Sequence, residues 1–402
     1  MKILIPIYEI QDYGGIVAHT EWLIKGLTEH GHESQLVILR NNDQEPYIRK
    51  AQGPVGSYPS ATGGSVHLLA GWYGVPVMSY GTLQRAYQFL EYAKDFDYII
   101  WDLPVPYNGE GFWRPLYESN VPQVAVVHDA HYPKTYKPQL DSVAQHLLFV
   151  APVNESAYGS LESYPGVRRM ICNGHPLVFT DFQKKWEHRP KKVVCAHVWK
   201  AWKHMDVAVA ASIFTVEAHV VLGGDGIEGR YMRSKDKCKP KYKGLWEAFQ
   251  NTTHEYKGIL TAAQLMEEYL DARVMMDLSY NARFNSYGSH FNRSMVEGIN
   301  YGCIPLVAYE NVKDSAIWKP GVNCMAMPVI EPEAVASYMD CMVNWNSDDA
   351  EAMLAEGRRT IRDHFDYMKT SALYLAPPTP AEQSEALARR LRPFETVGGV
   401  AG

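Results

Sequence analysis

The feature that most constrains this chain is a recurring unit: a short apolar run, a glycine or polar turn, a helical stretch, then another apolar run. At the start, Lys2–Ile7 is apolar and Asp12-Tyr13-Gly14-Gly15 is a turn. Val17, Leu23, Ile24 and Leu27 then recur at helical spacing between Ile16 and His30. Gly31-His32-Glu33 ends that helix, and Gln35–Leu39 is the next apolar run. The pattern restarts at Lys192–His197, with a polar stretch to His204, a helix over Asp206–Phe214 and a further run at Ala218–Leu222. Continuous apolar strands alternating with helices predict parallel sheets covered on both faces. A chain of 402 residues has room for two such α/β domains. The expected bounds are 1–180 and 181–350, with Pro176–Pro190 as the connection. Residues 351–376 are expected to form a C-terminal helix, and the Pro-, Glu- and Ala-rich 377–402 a partly disordered tail.

Composition removes several alternatives. No apolar run has the length of a membrane span. The opening Met-Lys-Ile-Leu-Ile-Pro-Ile-Tyr turns polar too soon for a signal peptide and fits a first strand. The six cysteines are scattered without a Cys-x-x-Cys pair, which predicts free thiols in a reducing cytoplasm. A net charge of −6 does not announce a nucleic-acid binder, but Arg230–Lys243 is strongly basic. That run fits either a polyanion contact or a solvated loop.

Candidate chemistry sits at the ends of the apolar runs, where open parallel sheets bind ligands. Gly14 and Gly15 open the first helix, where backbone N–H groups attract anions, although a tight turn alone would also explain them. His128-Asp129-Ala130-His131 follows the run Val124–Val127; an Asp and a His there can polarise or hold a hydroxyl. No third ligand at metal spacing accompanies the histidines, and Asp95-Phe96-Asp97 is expected to end a helix rather than to hold a metal. Lys200 and Lys203 lie between the restarted strand and its helix, placed to neutralise an anion. Gly224 begins a literal G-x-G-x-x-G, but the basic run after it lacks the apolar face of a crossover helix, so a dinucleotide site is not expected. Tyr256 lies in a short strand farther on. The last element is Asp277–Tyr309: strand end, polar loop, a short helix with Met295, Val296 and Ile299 on one face, Gly302 as C-cap, and a buried strand. Glu297 sits mid-helix beside Gly298, where a glycine costs about 1 kcal/mol against alanine, which points to a close approach.

The run Glu297-Gly298 through Gly302, Cys303, Ile304 and Pro305 resembles the donor-sugar signature of the retaining GT-B glycosyltransferases of the glycogen-synthase-like clan. The resemblance implies two Rossmann-like domains with parallel sheets facing a cleft, and a last helix that crosses back to the first domain. It also implies a nucleotide sugar, most often a UDP-sugar, as donor, and no metal or other cofactor. Glu297 matches the clan's ribose-binding glutamate. Ser289 stands where a first glutamate is usual, which leaves that role open. Lys203 matches the diphosphate lysine, and Lys200 is the substitute for an unmatched arginine. Gly14, Gly15, Gly224, Tyr256, Arg293 and Ser294 complete the implied donor site.

Within the clan, Gly15, Gly31-His32-Glu33, the His128–His131 stretch, Trp202-Lys203 and the missing first glutamate resemble the bacteriophage DNA α-glucosyltransferases. That implies an acceptor hydroxyl on a hydroxymethylated pyrimidine in double-stranded DNA, in a host cytoplasm if viral. His128 and Asp129 would then be the catalytic pair, and Trp72, Tyr73, Tyr107 and His131 would contact the flipped base. A monomer is expected. Two other readings stay open: transfer to a cell-envelope glycan or small molecule, and a non-catalytic nucleotide-sugar binder.

Overall fold

A computed structural model describes residues 1–7, 15–40, 77–79, 83–102, 120–127, 147–150, 166–170, 172, 174–177, 184–197, 203–224, 244–260, 262–279, 293–313 and 315–391. The chain divides into two compact units: Met1–Tyr58, His67–Gly174 and Tyr367–Gly402 form one, and Pro59–Val66 with His175–Asp366 the other.

The first unit is built on seven parallel strands: β1 (Lys2–Ile7), β2 (Glu33–Arg40), β3 (Val77–Ser79), β4 (Tyr98–Trp101), β5 (Gln123–Val127), β6 (Leu147–Val150) and β7 (Arg168–Met170), in spatial order β3-β2-β1-β4-β5-β6-β7. Helices α1 (Gly15–Glu29) and α2 (Leu83–Ala93) belong to this unit. Ile3, Ile5 and Ile7 share a core with Leu23 and Leu27 of α1 and with Ile100, Val124 and Val126. Gly31, at φ 79°, ends α1: its N–H bonds Thr28 O and the His32 N–H bonds Leu27 O, the paired closure of a Schellman cap. Asp97 has a structural role, since its Oδ2 accepts from the Lys2 N–H at 2.7 Å.

The second unit repeats the same winding with β8 (Lys192–Ala196), β9 (His219–Gly223), β10 (Glu255–Tyr256), β11 (Val274–Asp277), β12 (Ile304–Ala308) and β13 (Met325–Met327), in order β10-β9-β8-β11-β12-β13. Its helices are α3 (Met205–Phe214), α4 (Leu245–Gln250), α5 (Ala262–Leu270), α6 (Arg293–Asn300), α7 (Pro332–Val343) and α8 (Ser347–His364). All pairings are parallel, as the unbroken apolar runs predicted. Gly302, at φ 87°, closes α6 with the same paired bonds, Gly302 N–H to Ile299 O and Cys303 N–H to Gly298 O. The close approach expected at Gly298 is to the sheet. A Cβ there would lie 2.8 Å from the Cβ of Met275 in β11. Gly298→Ala is therefore expected to lower stability by about 1–3 kcal/mol through overpacking, in spite of alanine's better helix propensity. Amide exchange of β11 and α6 in urea tests this, and greater protection in the variant would contradict it.

Residues 184–190 are not the connection that the sequence suggested. Trp186 is 1% exposed in the second core. Arg189 is buried and donates to the carbonyls of Lys184, Tyr269, Ala272 and Tyr301. Four carbonyl acceptors at loop ends need such a donor, and prolines at the segment's borders disguised it as a linker.

The end of the chain differs from expectation too. After α8, α9 (Tyr367–Leu375) and α10 (Pro380–Leu391) join the first unit, so the segment after 377 is helical as far as 391. A capping box starts α10: the Thr379 N–H donates to Glu382 Oε2 at 2.7 Å, and the Glu382 N–H donates to Thr379 Oγ1 at 3.2 Å. Arg169 of β7 grips the same Glu382 through both carboxylate oxygens, at 2.7 and 2.8 Å, and also donates to the carbonyls of Leu373, Ala376 and Pro377. The bonds from Arg169, then those from Thr379, hold the Glu382 carboxyl at about 2. A depressed carboxyl contributes stability that is present above its unfolded value and lost as pH falls through the folded one. Docking of α10 should weaken on acidification from about pH 4.5 towards 2. In Arg169→Ala, amide exchange across 380–391 is expected to rise at neutral pH; unchanged protection would show that the latch is not what holds the helix.

Candidate functional site

In an open sheet of this winding, the switch of strand order lies between the first and fourth strands, and ligands bind beyond the carboxyl ends there. Both units place a fully buried aspartate at that point. In the first unit it is Asp102, just after β4, at 0% exposure. Thr20 Oγ1 donates to its Oδ2, and His19 Nε2 stands 3.6 Å from Oδ1 and 3.0 Å from the Tyr374 hydroxyl of α9. In the second unit it is Asp277, the last residue of β11, also at 0% exposure.

Asp277 organises a polar cluster in the second unit. Its Oδ1 accepts from both the N–H (2.8 Å) and the hydroxyl of Ser279, and its Oδ2 accepts from Ser294 Oγ at 3.1 Å. His197, immediately after β8, places Nε2 3.5 Å from Oδ2 and 3.4 Å from the Met276 carbonyl. Two oxygens around one ring nitrogen assign the proton to Nε2. Burial opposes the charge of Asp277, but His197, Lys203 and the Ser279 bonds outweigh it and hold the carboxyl at about 2. His197 is pushed below its ordinary value, first by burial and then by Lys203, against the pull of Asp277 and Glu297. At neutral pH the site therefore holds a charged carboxylate, a neutral imidazole and the charge of Lys203.

Glu297 lies on α6, three residues beyond Ser294. Arg293 Nε bonds its Oε1 at 2.6 Å, one turn away, and His175 Nε2 approaches the same oxygen at 3.7 Å. Burial works against the carboxylate, yet Arg293 and His175 bring it below its ordinary value. Lys203 lies two residues before α3, and the residue between, His204, is the one non-glycine residue with positive φ among the described residues, at 49°. A side chain held in a sparsely populated backbone region is a device of functional sites.

Of the residues expected at a donor site, the structure brings Lys203, Arg293, Ser294 and Glu297 to one end of the second sheet, linked through Asp277 and His197. Gly224 and Tyr256 lie at the same carboxyl edge, at the ends of β9 and β10 beside β8, where the His197 N–H donates to Gly223 O at 3.2 Å. The Tyr256 hydroxyl donates to Gly224 O at 2.8 Å, and Gly224, at φ 124°, donates its own N–H to Gly258 O. Gly15 is the first residue of α1. Gly14, Trp72, Tyr73, Tyr107, His128, Asp129, His131, Lys200 and Ser289 lie outside the described residues, as does the basic run 230–243. Among the described residues no group of three or more His, Cys, Asp or Glu side chains could hold a metal ion, and no helix is long and apolar enough to cross a membrane. His175, His197, Asp277 and Asn300 escaped the sequence reading. His197, Asp277 and Asn300 are lone polar residues at the ends of a strand or helix and His175 is an isolated bridge residue, and only the tertiary fold brings them together.

No protein-family model and no curated protein matches the chain. Solved structures do. HepE from Anabaena in complex with UDP-glucose aligns over 93% of this chain and 98% of its own, with a TM-score of 0.65 at 14% identity. A point mutant of S. aureus TarM, in complex with fondaparinux, α-GlcNAc-glycerol and UDP, aligns over 93% and 99%, with a TM-score of 0.64 at 10% identity. An α-glucosyltransferase in complex with UDP and a 13-mer DNA containing an HMU base aligns over 96% and 99%, with a TM-score of 0.60 at 11% identity. At these identities the likeness is one of fold, and that fold is the GT-B architecture expected from the sequence.

Proposed function

We propose that the chain is a retaining glycosyltransferase that uses a nucleotide sugar, with a UDP-sugar as donor. The observation that carries this reading is the polar cluster at the switch point of the second sheet, where Lys203, His197 and Ser294 surround Asp277 and the Arg293–Glu297 pair lies within electrostatic reach of His197. Neighbours of the same fold were crystallised with UDP or UDP-glucose, which supports the choice of donor.

In this reading the Glu297 carboxylate accepts from the ribose hydroxyls, with Arg293 fixing its orientation. Lys203 and the N-terminus of α3 face the diphosphate, and their fixed positive charge stabilises the departing group in the transition state without solvent reorganisation. The bond between the anomeric carbon and the diphosphate oxygen breaks, the acceptor oxygen bonds that carbon from the same face, and the hydroxyl proton passes to the released diphosphate. Ser289, in place of a glutamate, contributes a hydroxyl and no charge to the sugar. No step needs a metal ion, because the lysine and arginine charges replace it.

For the acceptor we infer the hydroxyl of a hydroxymethylated pyrimidine in double-stranded DNA, with His128 and Asp129 beside it and Trp72, Tyr73, Tyr107 and His131 around the base. The sequence likeness to the phage enzymes and the neighbour bound to HMU-containing DNA support this. HepE and TarM match equally well in fold, and the TarM complex holds α-GlcNAc-glycerol, which favours a glycan or small-molecule hydroxyl as the second reading. Transfer from radiolabelled UDP-glucose and UDP-GlcNAc to hydroxymethylcytosine DNA, set against unmodified DNA and a glycerol-glycoside acceptor, separates them. Label only in modified DNA supports the first reading; label only in the glycoside replaces it with the second. UDP binding without transfer or hydrolysis would leave a non-catalytic binder.

A further inference from the structure

We propose that His175 is a positioning residue for the donor site, holding Glu297 in register from the first residue of the segment His175–Asp366. This rests on the glycosyltransferase reading and adds to it a residue outside every motif named above. His175 is 6% exposed, and its ring spans one face of α6. Nδ1 lies 3.2 Å from Asn300 Nδ2 and 3.0 Å from the Pro176 carbonyl, and Nε2 faces Glu297 Oε1 at 3.7 Å. Glu297 and Asn300 are three residues apart, so both point to the same side of the helix. Asn300 Nδ2 also donates to Pro176 O at 3.0 Å, which fixes the amide with its nitrogen towards the ring. Nδ1 is thus held between a carbonyl oxygen and an amide nitrogen, which fixes the ring with Nε2 facing the carboxylate.

The backbone of His175 is fixed as well. Its N–H donates to Phe365 O at 2.6 Å, and the residue forms a parallel bridge with Asp366, the last residue of the second unit on the chain's return. On the other side, a Cβ at Gly174 would lie 2.8 Å from Tyr367 Cα, so the backbones pack tightly there too. The ring is thus clamped at its backbone and at Nδ1, and its remaining nitrogen meets the carboxylate at the oxygen that Arg293 also holds. Both contacts fall on Oε1. Removing one of two restraints on a carboxylate costs orientation rather than charge.

The test compares His175→Phe, which keeps the ring's bulk without a donor, with His175→Gln, which keeps a donor, each alone and with Glu297→Gln. UDP affinity is read by calorimetry and donor KM and kcat by turnover. His175→Phe is expected to weaken UDP binding and raise donor KM about tenfold with kcat little changed, below the roughly hundredfold that displacing a reacting group by 1 Å can cost. Gln should recover most of the loss, and in the Glu297→Gln background the His175 change should add little. Equal loss in both backgrounds, or unchanged UDP affinity, overturns the proposal. Should His175→Phe fail to fold, the ring nitrogen resonances of His175 in the Glu297→Gln protein decide, since an unmoved Nε2 signal also overturns it. If wild-type protein binds no uridine nucleotide, the donor-site reading itself fails, an outcome distinct from wild-type binding that His175 does not influence.

Discussion

Replacing Asp277 with alanine is expected to unfold the second unit at a denaturant concentration where the first is still folded. The side chain is fully buried and accepts from Ser279 twice and from Ser294 once, with His197 Nε2 at 3.5 Å. Alanine leaves those donors without their acceptor and removes the negative charge facing Lys203. Truncating one member of a buried charged cluster costs about 3–5 kcal/mol, a large part of the roughly 5–15 kcal/mol that holds a domain together. Asp277→Asn retains a carbonyl oxygen for Ser279 and should lose less. Two units make a single unfolding free energy ill-defined, so the measurement is amide exchange in urea, comparing peptides from β8 and β11 with peptides from β1 and β4. Equal protection of the second sheet in wild type and Asp277→Ala would refute the claim that this carboxylate organises it.

The same cluster sets the acid response. Asp277 titrates at about 2, below its ordinary 3.8, so the stability it lends is complete above 3.8 and disappears as pH falls towards 2. His197 is also depressed, below its ordinary 6.5, so in acid the unfolded chain takes up its proton first, and stability drops as pH falls below 6.5. Both act in one direction. Wild-type protection in β8 and β11 should decline from about pH 6.5 downward, and Asp277→Ala should lose the part of that decline below about pH 4.

The fold was legible because its sheets are buried on both faces. Lys2–Ile7, Lys192–Ala196 and Ile304–Ala308 carry apolar side chains at nearly every position, a pattern that a one-faced sheet does not produce. Gly31 and Gly302 announced the ends of α1 and α6 because a left-handed C-cap strongly favours glycine. The segment 184–190 was misread because a 3₁₀ turn has no periodicity to detect, and what anchors it is a single arginine under four carbonyls. The helix 380–391 did have a signal, Thr379-Pro380-Ala381-Glu382, a capping box with proline at the first helical position, which the Pro-rich composition of the tail masked. The site was legible where a residue lay inside a motif, as Lys203 and Glu297 do. It was illegible where the partner came from a distant strand end, as His197 does, or from an isolated bridge, as His175 does, because such proximity depends on the fold and leaves no spacing in the sequence.

Lys203→Ala is expected to lower kcat/KM for the nucleotide sugar by about 100- to 1,000-fold, the range found when one preorganised transition-state donor is removed. The position of the lysine supports so large a share. It stands two residues before α3, whose unsatisfied N–H groups already favour an anion, and the positive φ of His204 turns the chain into that helix. Its charge is felt by Asp277, His197 and the buried Cys195 thiol, so it acts at the end of β8 rather than in bulk solvent. Arginine at 203 keeps the charge but not its compact shape, and should recover only part of the rate. A companion signal is independent of turnover. Lys203 pushes the His197 imidazole down, so its removal should raise the His197 titration midpoint, which NMR of the ring follows directly. Lys191→Ala is the matched control, since that lysine forms an exposed pair with Glu217 at 2.7 Å, the kind worth about 0–1 kcal/mol. If Lys203→Ala turned over within a few-fold of the Lys191→Ala protein while the His197 midpoint rose, the lysine would be an electrostatic neighbour of the cluster and not the group that holds the leaving diphosphate.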